Sequence, residues 1–152
     1  MKITISSLLL IALVACNTKP GTEATKKNSL SLAGTWKLIS GTLIEKSDTA
    51  ITDYTKNLSF IKILNDTHFA FLEHNLKGSD SAIFVSGGGR YSLTDSNYTE
   101  HLEYCSDRQW EGTDFKFTVT IKDDTLTQQG VEKVESAGIN RINIEKYVRE
   151  KN

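Results

Sequence analysis

Phe115-Lys116-Phe117-Thr118-Val119-Thr120-Ile121-Lys122 alternates large apolar and polar side chains without a break. Successive side chains of an extended strand point to opposite faces, so this stretch has one dry face and one wet face. Asp123-Asp124 follows as a turn, and Thr125 to Val131 resumes the extended pattern, so the unit reads as a β-hairpin.

The same pattern recurs on both sides of this hairpin. Asn97 to Cys105 is a strand entered through the turn Asp95-Ser96. Ser81 to Ser86 and Arg90 to Thr94 are strands on either side of Gly87-Gly88-Gly89, and Leu58 to Leu64 and Thr67 to His74 flank Asn65-Asp66. Gly34 to Glu45 begins the series and Ile142 to Arg149 ends it. Lys46 to Asn57 is expected to be an irregular flap or one short helix over a barrel mouth, and Ser136 to Arg141 a polar loop. About eight or nine short strands with turns between them and no long helix make a sandwich or a closed antiparallel barrel.

The N-terminus has a different character. Met1-Lys2 is a short positive start, Ile3 to Val14 carries no charge, and Leu13-Val14-Ala15-Cys16 closes the run. The apolar stretch is roughly a dozen residues, short of the ~20 needed to span a bilayer. The order of charge, apolar run and small residues is that of a secretory signal, and it resembles the bacterial lipobox. That resemblance implies cleavage before Cys16 and acylation of Cys16. Residues 1–15 are then a signal peptide, residues 16–31 a lipidated Cys with a disordered Thr/Lys/Asn/Gly/Ser tether, and residues 32–152 the barrel domain. The expected location is the cell envelope: extracytoplasmic, lipid-anchored, at the outer membrane.

The net charge is −1 across 152 residues, with acids and bases interspersed. This argues against nucleic acid as a partner and against a polybasic membrane patch. With Cys16 assigned to the lipid, Cys105 is alone, forms no internal disulfide and reads as a small strand side chain.

Gly34-Thr35-Trp36 looks like the Gly-X-Trp signature of lipocalins and their relatives. There the Trp plugs the closed end of the barrel and an Arg from the last strand packs across it. Arg149 is placed for that role, with Arg141 second. Three further blocks occur in order: Thr67-His68-Phe69-Ala70-Phe71, Gly87-Gly88-Gly89-Arg90-Tyr91, and Tyr98-Thr99-Glu100-His101-Leu102-Glu103-Tyr104. Together they are similar to the lipocalin-like lipoproteins and secreted proteins of Bacteroidetes-type bacteria. The resemblance spans Leu32 to Arg149 and implies an all-β fold, a single antiparallel up-and-down barrel with a central cavity. It implies no activity.

Candidate chemistry is sparse. The glycines lack the following helix that a phosphate cradle needs, so Gly88 and its neighbours read as a bend or bulge between strands. Tyr98, Glu100, Leu102 and Tyr104 share one strand face, a plausible lumen face with stacking surface and a few hydrogen-bond groups. Arg90 is a candidate donor to Glu100, though Tyr91 competes for the inward position. Glu100 could equally anchor a structural network, and the opposite register would put His101 and Glu103 inside. His68 and His74 with His101 and Glu103 have no familiar ligand spacing, and the reading carries no metal and no cofactor. Glu100 and Glu103 point to opposite faces, and no Ser-His-Asp order is present, so no enzyme is expected.

The expected function is a binding module. A small hydrophobic or amphipathic molecule would lie in the lumen against Tyr91, Tyr98, Glu100 and Tyr104, with Phe69 and Phe71 as apolar wall. The alternative is an envelope interaction or structural protein with a solid-packed barrel that docks another envelope protein. An enzyme with an uncommon active site built on Glu100 comes third.

Overall fold

The computed structural model describes residues 30–76 and 82–151. The expected signal peptide, the lipidated Cys16, most of the expected tether and Ser81 at the head of one expected strand lie outside the described residues.

Among the described residues there are nine strands: β1 Gly34–Glu45, β2 Asp48–Asp53, β3 Leu58–Leu64, β4 His68–Asn75, β5 Phe84–Thr94, β6 Asn97–Cys105, β7 Thr113–Lys122, β8 Thr125–Val134 and β9 Ile139–Arg149. All pairings are antiparallel, and β3 through β8 each pair with the next strand in sequence. β1 closes the cylinder. Its first residues pair with β3, from Gly34↔Leu64 to Lys37↔Ile61, while its other edge pairs with β9 from Trp36↔Arg149 to Ile44↔Ile142. The result is a closed barrel of β1 and β3–β9, with β2 as one extra strand on the far half of β1. Closure leaves those eight strands no free edge over most of their length.

The alternation in β7 does what its sequence dictates. Phe115, Phe117 and Val119 are buried while Lys116, Thr118 and Thr120 are exposed. The turn after it has Asp123 and Asp124 at φ 50° and 57°, the left-handed pair that matches the twist of a two-residue hairpin.

Four expectations are corrected. Lys46 to Asn57 is neither a flap nor a helix: Asp48–Asp53 continues the sheet as β2, because a hairpin at Glu45 satisfies its backbone against β1. β5 runs unbroken through Gly87-Gly88-Gly89 instead of bending between two strands, and the irregularity is a bulge on its partner β6. Ser136 to Arg141 is mostly ordered: a 3₁₀ turn, Glu135–Ala137, ends at Gly138 (φ 68°), and β9 starts at Ile139. Tyr104 faces outward, for the reason given below.

One end is sealed. Trp36 is fully buried and its indole N–H donates to Leu32 O at 2.8 Å. The Arg149 guanidinium carbon lies 4.0 Å from the Trp36 ring centroid, and its nitrogens donate to the carbonyls of Ala33 and Ser31 at 2.7 and 3.2 Å. Arg149, not Arg141, crosses the indole. The β3–β4, β5–β6 and β7–β8 turns share this end, while the β1–β2, β6–β7 and β8–β9 connections, the end of β4 and the start of β5 lie at the other.

Candidate functional site

Above the sealed end the barrel encloses a cavity of about 530 Å³ that opens toward the second set of connections. Its wall is aromatic and aliphatic. Phe60 and Phe71 stack with centroids 5.7 Å apart on one side, and Phe115 and Phe117 stand 6.4 Å apart on the other. Each sits at an inward position of a period-two strand, which is why the apolar residues converge.

The floor is polar and carries buried charge. Lys62 is 2% exposed, and its ammonium donates to Glu100 Oε1 at 2.7 Å and to Gln128 Oε1 at 3.1 Å. Gln128 Nε2 and the Tyr147 hydroxyl donate to Glu145 Oε2 at 3.2 and 2.8 Å, and Lys62 Nζ is 3.9 Å from the same carboxylate. The ammonium also lies 5.3 Å from the Tyr147 ring centroid. Burial disfavours the Lys62 charge, but the Glu100 and Glu145 carboxylates more than offset it, so the pKa is raised and Lys62 stays protonated. Burial, then the charge of Glu145, pushes the Tyr147 phenol up.

A second cluster lies nearer the mouth. Arg141 Nε and Asn143 Nδ2 both donate to Glu132, each at 2.7 Å, and the guanidinium carbon of Arg141 is 5.6 Å from the Trp110 ring centroid. Burial raises the pKa of Glu132, and the Arg141 bond only partly counters it. Glu73, facing inward from β4, has its pKa raised by burial and then by the charge of Glu145. Tyr54 is pushed up to about 12, first by burial and then by Glu73 and Glu145.

The residues expected to bind ligand are scattered by this geometry. Glu100 and Phe71 line the cavity. Phe69, Tyr91 and Tyr98 do not, since they pack toward the sealed end. Phe69 is 3% exposed, Tyr98 is buried 5.2 Å from Tyr91 between centroids, and the Tyr91 hydroxyl donates to Asn65 O at 2.7 Å. Among the described residues the buried Tyr98 hydroxyl has no hydrogen-bond partner, and burial followed by the Glu100 charge raises its pKa.

Tyr104 is outside and 69% exposed. On β5 Gly88 pairs with Tyr104 and Gly89 pairs with Leu102, so Glu103 is an extra residue on β6. The bulge reverses the alternation, and Cys105 takes the inward position that Tyr104 would have held. Glycine is needed opposite, because a Cβ on Gly88 would lie 2.5 Å from Phe69 O.

Arg90 is not the partner of Glu100. It points outward and donates to Glu103 at 2.6 Å. His101 Nδ1 is 2.7 Å from Asp114 Oδ1, and His68 Nδ1 is 2.7 Å from the Thr67 hydroxyl. Among the described residues no three His, Cys, Asp or Glu side chains are grouped to hold a metal ion.

The sequence reading missed Lys62, Gln128, Glu132, Asn143 and Glu145. Lys62 had a signal: it shares strand parity with Phe60 and Leu64, both inward. The signal was masked because Ile61 and Ile63 make the opposite face equally apolar.

The family model of a domain of unknown function, DUF4488, matches residues 31–151, the span that folds into this barrel. The chain belongs to the DUF4488 family. No curated protein matches it. The DUF4488 match thus covers both the sealed end and the lined cavity.

Proposed function

We propose that this chain is a lipocalin-like binding protein that holds a small, mostly apolar molecule in its lumen. The observation that carries the reading is the cavity of about 530 Å³, sealed at Trp36 and open at the other end. That volume falls within the ~300–1,000 Å³ of small-molecule sites, which are mostly apolar with a few placed polar groups. A barrel serving only as an envelope scaffold would gain by filling this space with side chains, since a void forfeits dispersion contacts. Lipocalin kinship is supported by Gly34-Thr35-Trp36 at the first strand, Arg149 across the indole, and the closed antiparallel barrel.

The buried charges favour the same reading. An ion pair taken out of water contributes little to stability, and apolar residues of similar volume often do better. Lys62 and Glu100 sit where such residues would fit, facing a cavity. A few fixed polar groups in a mostly apolar lumen suit a guest that carries one polar end. The N-terminal run ending at Cys16 supports a cell-envelope location on a lipid anchor for this binding protein.

Native mass spectrometry of protein purified gently from its own cells tests the binding reading. A reproducible added mass, lost on denaturation, is the expected result. An apo mass from every preparation, together with no uptake of small apolar alcohols, would count against it. Palmitate labelling that disappears in Cys16→Ser tests the anchor.

A further inference from the structure

The cavity is unbalanced in charge. Four carboxylates line it below the rim, Glu73, Glu100, Glu132 and Glu145, against two cations, Lys62 and Arg141. A fifth carboxylate, Asp107, stands at the mouth. Both cations are already engaged. Arg141 donates to Glu132 at 2.7 Å. Lys62 is shared between Glu100 at 2.7 Å and Glu145 at 3.9 Å. Among the described residues Glu73 has no ion-pair or hydrogen-bond partner, although it faces the cavity.

Glu73 and Glu145 both line the lumen. Burial raises the pKa of Glu73 first, and the charge of Glu145 raises it further. Tyr54 stands in the same wall: a Cβ on Gly41 would lie 3.1 Å from its ring, and Gly41 pairs with Glu145 across the strands. Phe60 is paired with Glu73 across the strands and meets Tyr54 edge-on at 6.0 Å between centroids. Two carboxylates and two aromatic rings lining one cavity form an environment suited to an organic cation.

Resting on the lumen-binding reading, we propose that the ligand class is a protonated amine with an apolar body. Its ammonium is seated between Glu73 and Glu145 against the rings of Tyr54 and Phe60. The apolar body lies along Phe71, Leu102 and Phe115. Carboxylate ligands such as fatty acids are disfavoured, because among the described residues neither lumen cation is left to receive them and a further anion would join an excess of carboxylates.

The test compares three guests of equal chain length with the purified protein at neutral pH: octylammonium, octanol and octanoate, each titrated calorimetrically. Octylammonium is expected to bind about tenfold more tightly than octanol, and octanoate more weakly than either. In Glu73→Gln the advantage of octylammonium over octanol should fall by about tenfold, and retained octanol binding reports an intact lumen. Octanol binding with no preference for octylammonium, or tightest binding of octanoate, overturns the amine assignment and leaves the lumen reading standing. Failure of all three to bind removes both.

Discussion

Lys62 is the residue on which the interior turns. Its ammonium is held by Glu100 and Gln128 at the floor of a mostly apolar space. Removing one member of a buried pair leaves the other uncompensated, at a cost of about 3–5 kcal/mol. Lys62→Met should therefore lower the free energy of urea unfolding by about that amount, and Lys62→Met with Glu100→Leu should recover most of it. A single substitution as harmless as the double would show that the pair is not buried as described. Glu73 gives the opposite sign. Its folded pKa is raised above the ordinary 4.5, so its protonated form favours the folded state. That contribution is present below the unfolded pKa and is lost as pH rises through the folded pKa. Glu73→Gln should accordingly raise the urea midpoint at about pH 8, with the gain vanishing below about pH 4.5. A gain that grew on acidification would contradict the assignment.

At the scale of single strands, two features set which residues reach the lumen, and neither is visible in alternation. β6 keeps strict parity through Tyr98, Glu100 and Leu102, then the bulge at Glu103 turns Tyr104 out and Cys105 in. β1 has a similar irregularity between Leu38 and Ser40, after which Gly41 and Leu43 line the cavity. A Cβ on Gly89 would collide with His101 O, so Gly89→Ala should cost about 1–3 kcal/mol in urea unfolding. Because Cys105 lines the lumen, octanol should slow its reaction with a small thiol reagent, whereas Tyr104→Ser should leave octanol binding unchanged. Equal labelling rates with and without octanol would put the thiol elsewhere. The strands themselves were legible: β1, β3 and β6 have the bounds read from the sequence, because their apolar periodicity and turn residues agree. β2 was not, since five of its six residues are exposed and carry no core signal. The polar floor was not legible either. Lys62, Gln128 and Asn143 occupy inward positions where a period-two pattern expects apolar residues.

As a whole, the described residues form a cup. Arg149 and Trp36 seal its base, and the sequence named both residues, because Gly-X-Trp at a first strand and an Arg in the last are local signals that survive without knowing the register. Deleting the Trp36 side chain removes a fully buried indole, so Trp36→Ala should cost about 3–5 kcal/mol. Guest affinity, by contrast, belongs to the open half of the cup. The direct test of an accessible lumen is a titration with N-phenyl-1-naphthylamine, a neutral apolar fluorophore, in wild type and in Val85→Trp, where an indole would occupy the cavity wall. The expected result is one saturable site per chain, displaced by octanol and abolished by the substitution. Absence of saturable binding, or binding that Val85→Trp leaves untouched, would contradict a ligand in the lumen.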